Sequence, residues 1–366
     1  GVFRQADMRA AERDIVRKIE NHIIIMKTFN SILMTLAVAV SPVVANAAEP
    51  FEPATKLRPN MTLALYPEGQ KVNKGIEENG KTITLGPGES NKIAEPEEMK
   101  ASGTMSKVGD NARIDIYLPK KPNGQMIVVC PGGGYKNLST FNEGAYVADW
   151  LVKRGISVCV VKYRLPNGHW NVPLNDVQNA FRYCRAHAQE WGVKQIGVMG
   201  FSAGGHLAAS ASTLFVDTVT RPDFSVLIYP VITMDMALTH KGTHDNLIGK
   251  ESKWLDENLP VKDYLVKKAK YEELMYHYSL QNNVSADTPP TFLALSTGDN
   301  IVAPENSFLY YDALVAHNVP ALIYVYPYGG HGWGFTTPEF GKDRLGAWRP
   351  VFFQSLEIWL NEVSAK

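Results

Sequence analysis

Short apolar runs recur along this chain: Ala112 to Leu118, Met126 to Cys130, Ile156 to Tyr163, Gln195 to Met199, Phe224 to Tyr229, Thr291 to Ser296 and Ala321 to Tyr326. They are continuous rather than alternating, which predicts strands covered on both faces, as in a parallel sheet. Between them apolar residues return at helical spacing. The clearest case is Pro173 to Trp191, where Val177, Ala180, Phe181, Cys184, Ala188 and Trp191 share one face. Strands alternating with helices predict an α/β fold built on a mostly parallel, doubly wound sheet, here over residues 111–366. No repeat at a fixed period and no low-complexity tract interrupts the pattern.

Three stretches depart from it. Residues 231–290 are long, polar and helix-prone from Pro260 to Tyr278, and they precede the Thr291 strand. Loops at that end of such a sheet cover the site, so this insertion is expected to be a helical cap that shapes a pocket. Residues 48–110 are polar and rich in Pro, Gly, Glu and Lys, with one strand-like piece, Thr62 to Tyr66, and they read as an extension feeding an edge strand. Upstream, Met26-Lys27, the apolar run Ile32 to Val44 and the small residues Ala45-Asn46-Ala47 have the order of a secretory signal (26–47) cleaved after Ala47. The run is well short of the ~20 residues that cross a bilayer. An exported protein, periplasmic or secreted from a bacterium, without stable membrane association after cleavage, is therefore expected. No cysteine follows the cleavage site to carry a lipid anchor. Residues 1–25 precede this signal and begin with Gly, so they are expected to lie outside the native mature chain.

Composition adds little beyond a large globular core: 366 residues, 45% hydrophobic, 20% charged. The formal net charge of +0 leaves no basic field to gather phosphates, so nucleic acid is not an expected partner. Cys130, Cys159 and Cys184 each sit in an apolar pattern and read as buried free thiols.

The chemistry concentrates in four places. Gly200-Phe201-Ser202-Ala203-Gly204 follows the apolar run ending at Met199 and precedes the helix-forming His206 to Ala211. A serine between glycines at a strand-to-helix turn is the nucleophile elbow of the α/β-hydrolase fold, where a strained backbone lifts Oγ clear and only small flanking residues let strand and helix pass. A serine nucleophile needs a base, an acid to orient it and donors for the oxyanion. The base candidate is His331, in Gly329-Gly330-His331-Gly332, after the last strand and before the terminal helix. The acid candidate is Asp299, directly after the Thr291 to Ser296 strand. The chain order Ser202, Asp299, His331 is that of α/β hydrolases. The oxyanion donors are expected from the backbone of Ala203 and of Gly133 and Gly134 in Pro131-Gly132-Gly133-Gly134-Tyr135. GxGxxG spacing and HExxH are both absent, so no metal and no cofactor are expected. Other tempting residues carry structural readings: His206 behind the nucleophile, and an Arg164–Asp176 ion pair. Trp170, Trp333, Tyr135 and Tyr328 fit either core packing or a sugar-stacking platform.

Together these pieces, with Cys130-Pro131-Gly132-Gly133-Gly134-Tyr135, Tyr163-Arg164-Leu165-Pro166, Gly204-Gly205-His206-Leu207-Ala208, Thr288-Pro289-Pro290-Thr291-Phe292-Leu293 and Pro304-Glu305-Asn306-Ser307, resemble bacterial acetylxylan-esterase-like carbohydrate acetyl esterases of the α/β-hydrolase superfamily. The resemblance runs from about Leu63 to the C-terminus. It implies a serine esterase that removes O-acetyl groups from plant polysaccharide or oligosaccharide, with acetylated carbohydrate as its partner. Where the family commonly has paired aspartates this chain reads Gly298-Asp299, and matching Val302 and Glu305-Asn306-Ser307 places the acid on Asp299. The family's usual Arg after the fifth strand is replaced by His244. The competing readings are a feruloyl or other aryl esterase, which needs an apolar slot from the cap, a serine peptidase, for which no propeller domain is present, and a non-catalytic carbohydrate-binding relative, which the intact Ser202, Asp299 and His331 oppose.

Overall fold

The computed structural model describes residues 54–66 and 112–364 in full, and between them the backbone of two small antiparallel strand pairs, Ile76–Glu78 with Lys81–Ile83 and Glu98–Met99 with Ser106–Lys107. The expected signal at 26–47 and the stretch before it lie outside the described residues.

The main sheet has eight strands: β1 (Met61–Ala64), β2 (Arg113–Tyr117), β3 (Gln125–Cys130), β4 (Ser157–Lys162), β5 (Gln195–Phe201), β6 (Ser225–Ile228), β7 (Thr291–Ser296) and β8 (Ala321–Tyr326). Their spatial order is β1-β2-β4-β3-β5-β6-β7-β8. β2 pairs antiparallel with both β1 and β4, and β3 to β8 run parallel. This is the mostly parallel α/β-hydrolase sheet.

The continuous apolar runs follow from what lies on each face. Along β3, Met126, Val128 and Cys130 pack on one side with Phe181 and Leu207, while Ile127 and Val129 pack on the other with Trp150 and Phe352. Side chains alternate across a strand, so a strand apolar at every position must bury both faces, and each such aliphatic contributes about 1.5–3 kcal/mol. The helices α1 (Tyr146–Val152), α2 (Asn171–His187), α3 (Ser202–Thr213), α7 (Glu305–Ala316) and α8 (Arg349–Ser364) supply the two covering layers. β8 departs from the expectation of two covered faces. It is the edge strand next to β7, and Leu322 and Val325 are 37% and 39% exposed. An apolar run at a sheet margin reads like a buried one, because periodicity does not report what packs on it.

Residues 231–290 hold α4 (Lys241–Leu247), α5 (Glu251–Trp254) and α6 (Val261–His277). Within α6 only Tyr271 and Leu274 are buried, and Val261, Leu265 and Val266 are exposed. Because β3 to β8 are parallel, the segments that follow their C-terminal ends share one rim. Gly132–Gly134 follow β3, Ser202 follows β5, Asp299 follows β7 and His331 follows β8.

Candidate active site

At the end of β5 the backbone is extended at Phe201 (φ −127°) and turns at Ser202 to φ +54° before entering α3. A non-glycine residue there is strained, and the surrounding contacts hold it. A Cβ on Gly200 would lie 2.1 Å from the Gly204 carbonyl oxygen, and one on Gly204 would lie 2.1 Å from that of Cys130. Strand and helix therefore pass at a distance that only glycine permits. Tyr135 (φ +55°) and Tyr229 (φ +37°) are also in this strained region, so the site concentrates it.

Ser202 Oγ lies 2.8 Å from His331 Nε2, and His331 Nδ1 lies 2.7 Å from Asp299 Oδ2. The other carboxylate oxygen, Asp299 Oδ1, accepts the amides of Ile301 and Val302 at 2.9 and 3.0 Å, which fixes the acid with its second oxygen toward the imidazole. The Asp299 side chain is buried and that of His331 is mostly buried. The three residues widely separated in sequence thus form one hydrogen-bonded series.

The loop after β3 forms the facing wall. Gly133 (φ +136°) and Gly134 (φ +64°) line the same cavity as Ser202 and His331, a space of about 470 Å³. Their amides donate to no acceptor among the described residues, and the amide of Ala203, in the first turn of α3, has no partner within its helix. Gly132 serves differently: its amide donates to Glu143 Oε2 at 2.7 Å. A Cβ there would meet Phe201 O at 2.6 Å and Ser202 Cβ at 3.0 Å, so this glycine lets the loop lie against the nucleophile.

No motif in the sequence marks Glu143. It sits in a wide π-type turn, Phe141–Ala145, a form that recurs at functional sites. Its Oε1 accepts the Tyr229 hydroxyl at 2.8 Å, and Tyr229 Oη in turn accepts the Gly334 amide at 2.8 Å. The Tyr229 ring is 4.8 Å from that of His331. One buried carboxylate thereby ties the glycine loop to the histidine loop. Burial pushes the Glu143 carboxyl up, opposed by its hydrogen bonds from Tyr229 and Gly132 and by the attraction of His331. From the same turn Asn142 Nδ2 donates to Gly332 O at 3.0 Å, and Arg344 Nη1 donates to His331 O at 2.8 Å.

His240, also unread in the sequence, lines the cavity beside Gly134, with Lys342 and Arg344 exposed at its rim. His244, the residue that departs from the family pattern, does not reach it. It is buried, with Nε2 2.9 Å from Tyr271 Oη and Nδ1 2.9 Å from Asp245.

The structural readings of other residues hold. His206 is buried between Tyr135 Oη (3.0 Å) and Tyr278 O (2.9 Å), and burial lowers its pKa to about 4. Arg164 and Asp176 form a fully buried ion pair at 2.5 Å. Cys130, Cys159 and Cys184 are free and buried. Tyr135 is a core residue, Trp170 packs on Trp254, Trp333 is buried but lines the cavity, and Tyr328 is exposed.

The sheet order, the elbow and the series of side chains define the α/β-hydrolase class. The family model BD-FAE matches residues 114–314, and the chain belongs to that family. An acetylxylan esterase of Xylanibacter ruminicola is 38% identical over 69% of this chain and 49% of its own length. An endo-1,4-beta-xylanase B of Butyrivibrio fibrisolvens is 32% identical over 58% of this chain and 33% of its length. The chain thus spans about half or less of these curated relatives. Among solved structures, an acetyl ester-xyloside bifunctional hydrolase from Caldicellulosiruptor lactoaceticus superposes with a TM-score of 0.61 at 27% identity, over 85% of this chain and 99% of that one.

Proposed function

We propose that this protein is a serine carboxylic-ester hydrolase that removes O-acetyl groups from plant polysaccharide or oligosaccharide. The observation that carries the reading is the contact series Ser202 Oγ, His331 Nε2, His331 Nδ1, Asp299 Oδ2, at 2.8 and 2.7 Å. In the proposed reaction His331 Nε2 takes the Ser202 proton as Oγ attacks the ester carbonyl, while Asp299 holds the imidazolium that forms. The amides of Ala203, Gly133 and Gly134 receive the oxyanion. The imidazolium returns its proton to the departing sugar oxygen, leaving an acetyl ester on Ser202. Water, deprotonated by the same imidazole, then attacks this ester, acetate departs and the serine is restored.

The acetyl and carbohydrate parts of the reading rest on the named activities of the Xylanibacter and Caldicellulosiruptor relatives. An arylesterase of Saccharolobus solfataricus is also similar, at 31% identity over 42% of this chain. A slot for an aromatic acyl group needs apolar walls from residues 231–290, yet among the described residues that insertion gives the cavity only His240. That favours the small acyl group. Export, supported by the order of residues 26–47, belongs to the same proposal.

The test is acetate release from acetylated xylan and from short-chain nitrophenyl esters, by wild type and Ser202→Ala. Loss of the nucleophile is expected to lower kcat by about 10⁴-fold or more. Equal rates in the two proteins would leave a binding relative, and a clear preference for feruloyl over acetyl esters would favour the aryl reading.

A further inference from the structure

One wall of the cavity has no part in the acyl transfer. We infer that His240 Nε2–H is the donor of a subsite for the alcohol part of the substrate, where it binds a sugar hydroxyl neighbouring the acetylated oxygen. The inference deepens the carbohydrate-ester reading above and rests on it.

The local structure fixes what His240 offers. Its Nδ1 accepts the Thr243 amide at 3.2 Å, capping α4, and lies 2.8 Å from Thr243 Oγ1. An Nδ1 that accepts an N–H carries no proton in the neutral ring, so the proton is on Nε2. Burial first, then the nearby His331, lowers the pKa of His240, which keeps it in that neutral form. Nε2–H has no acceptor among the described residues. Nε2–H is not among the buried polar atoms without a partner, so it opens onto the cavity, where a ligand oxygen can accept from it.

Its position is beside the nucleophile, on the wall made by the glycine loop. A Cβ on Gly134 would stand 3.5 Å from His240 Cε1, so the imidazole lies against the glycine loop that flanks the nucleophile. The placement is fastened from a second side, because Asn246 Nδ2 on the same helix donates to Gly134 O at 2.8 Å. An acetyl group held between Ser202 and the loop amides has no further polar atom to offer this N–H. Its alcohol, when it is a sugar, has hydroxyls beside the ester oxygen. A nitrophenyl leaving group has none there.

His240→Asn separates the two jobs of the side chain, because Asn is a strong N-cap acceptor but lacks the reach of Nε2–H. His240→Ser keeps the cap in the same way and serves if the Asn variant folds poorly. The readouts are kcat/KM on an acetylated xylo-oligosaccharide and on p-nitrophenyl acetate, with the thermal midpoint as a control on the cap. The expected result is a loss of about tenfold on the sugar ester, the worth of one hydrogen bond, with the nitrophenyl rate within twofold of wild type. Equal losses on both esters, or no loss on either, would overturn the subsite. If wild type cleaves p-nitrophenyl acetate but no sugar ester, the carbohydrate reading fails and the subsite goes with it. If wild type cleaves both and only the ratio stays fixed in the variant, the subsite fails alone.

Discussion

Glu143 is a buried carboxyl that links the loops around the Ser202, His331 and Asp299 series. Its carboxylate holds Gly132 of the glycine loop at 2.7 Å and Tyr229 at 2.8 Å, and it attracts the His331 imidazolium. Glu143→Gln keeps one acceptor for Gly132 but turns an amide toward Tyr229 Oη, which already accepts from Gly334. We expect kcat to fall by about tenfold, the scale of one charge-assisted hydrogen bond. The pH dependence of stability has a definite sign. Burial raises the folded-state pKa of Glu143 above its unfolded value, so the group's contribution is fully present below the unfolded pKa, about 4.3. It is lost as pH rises through the folded value. The stability of wild type minus that of Glu143→Gln, measured by urea unfolding from pH 4 to 7, should therefore shrink as pH rises. A difference that widens would mean the carboxylate is better accommodated ionised than its burial implies.

At the scale of elements, the site depends on how closely α3 approaches β3. The Gly204 α-carbon faces the Cys130 and Pro131 carbonyls, and an added methyl would sit 2.1 and 2.4 Å from those oxygens. These are backbone atoms, which cannot rotate away, so Gly204→Ala must push the helix and the strand apart. The expected cost is about 3 kcal/mol, read as a lower urea midpoint, with a loss of kcat as the amide of Ala203 shifts from the glycine loop. A variant as stable as wild type would show that the elbow helix has more room than this contact allows. This close approach was legible in the sequence as glycines two positions either side of Ser202, and the runs that became β2 to β7 were legible because strands buried on both faces have to be apolar throughout. Ser202, Asp299 and His331 were legible because a parallel sheet delivers successive strand ends to one rim in a fixed chain order. Glu143 was not. In sequence it is one polar residue of a loop, and its burial arises only when the Phe141–Ala145 turn packs beneath the glycine loop. His240 was hidden because histidine is an unusual N-cap. His244, four residues on, is buried by the fold against Tyr271. The exposure of β8 was invisible because it depends on what fails to pack there.

Across the whole molecule, the residues that the chemistry needs run from Gly132 to His331. Ala54 and Thr55 anchor the described N-terminal end on α1, through Tyr146 Oη at 3.4 Å and Asp149 Oδ1 at 3.0 Å. The fold holds no disulfide that a reducing compartment would open. The three cysteines are free, and burial pushes the Cys130 and Cys159 thiols well up, which keeps them protonated and poor nucleophiles toward oxidants. Under the export proposal, processing and activity are therefore expected to be separable. When the chain from Met26 is expressed in a Gram-negative host, the exported fraction should begin at Ala48, read by intact mass and N-terminal sequencing. Its kcat/KM on p-nitrophenyl acetate should match that of the unprocessed chain within twofold. Retention in the cytoplasm with residues 26–47 still attached would remove the export proposal while leaving the esterase reading intact. A processed chain with much lower activity would instead mean that residues before Ala48 support the catalytic fold.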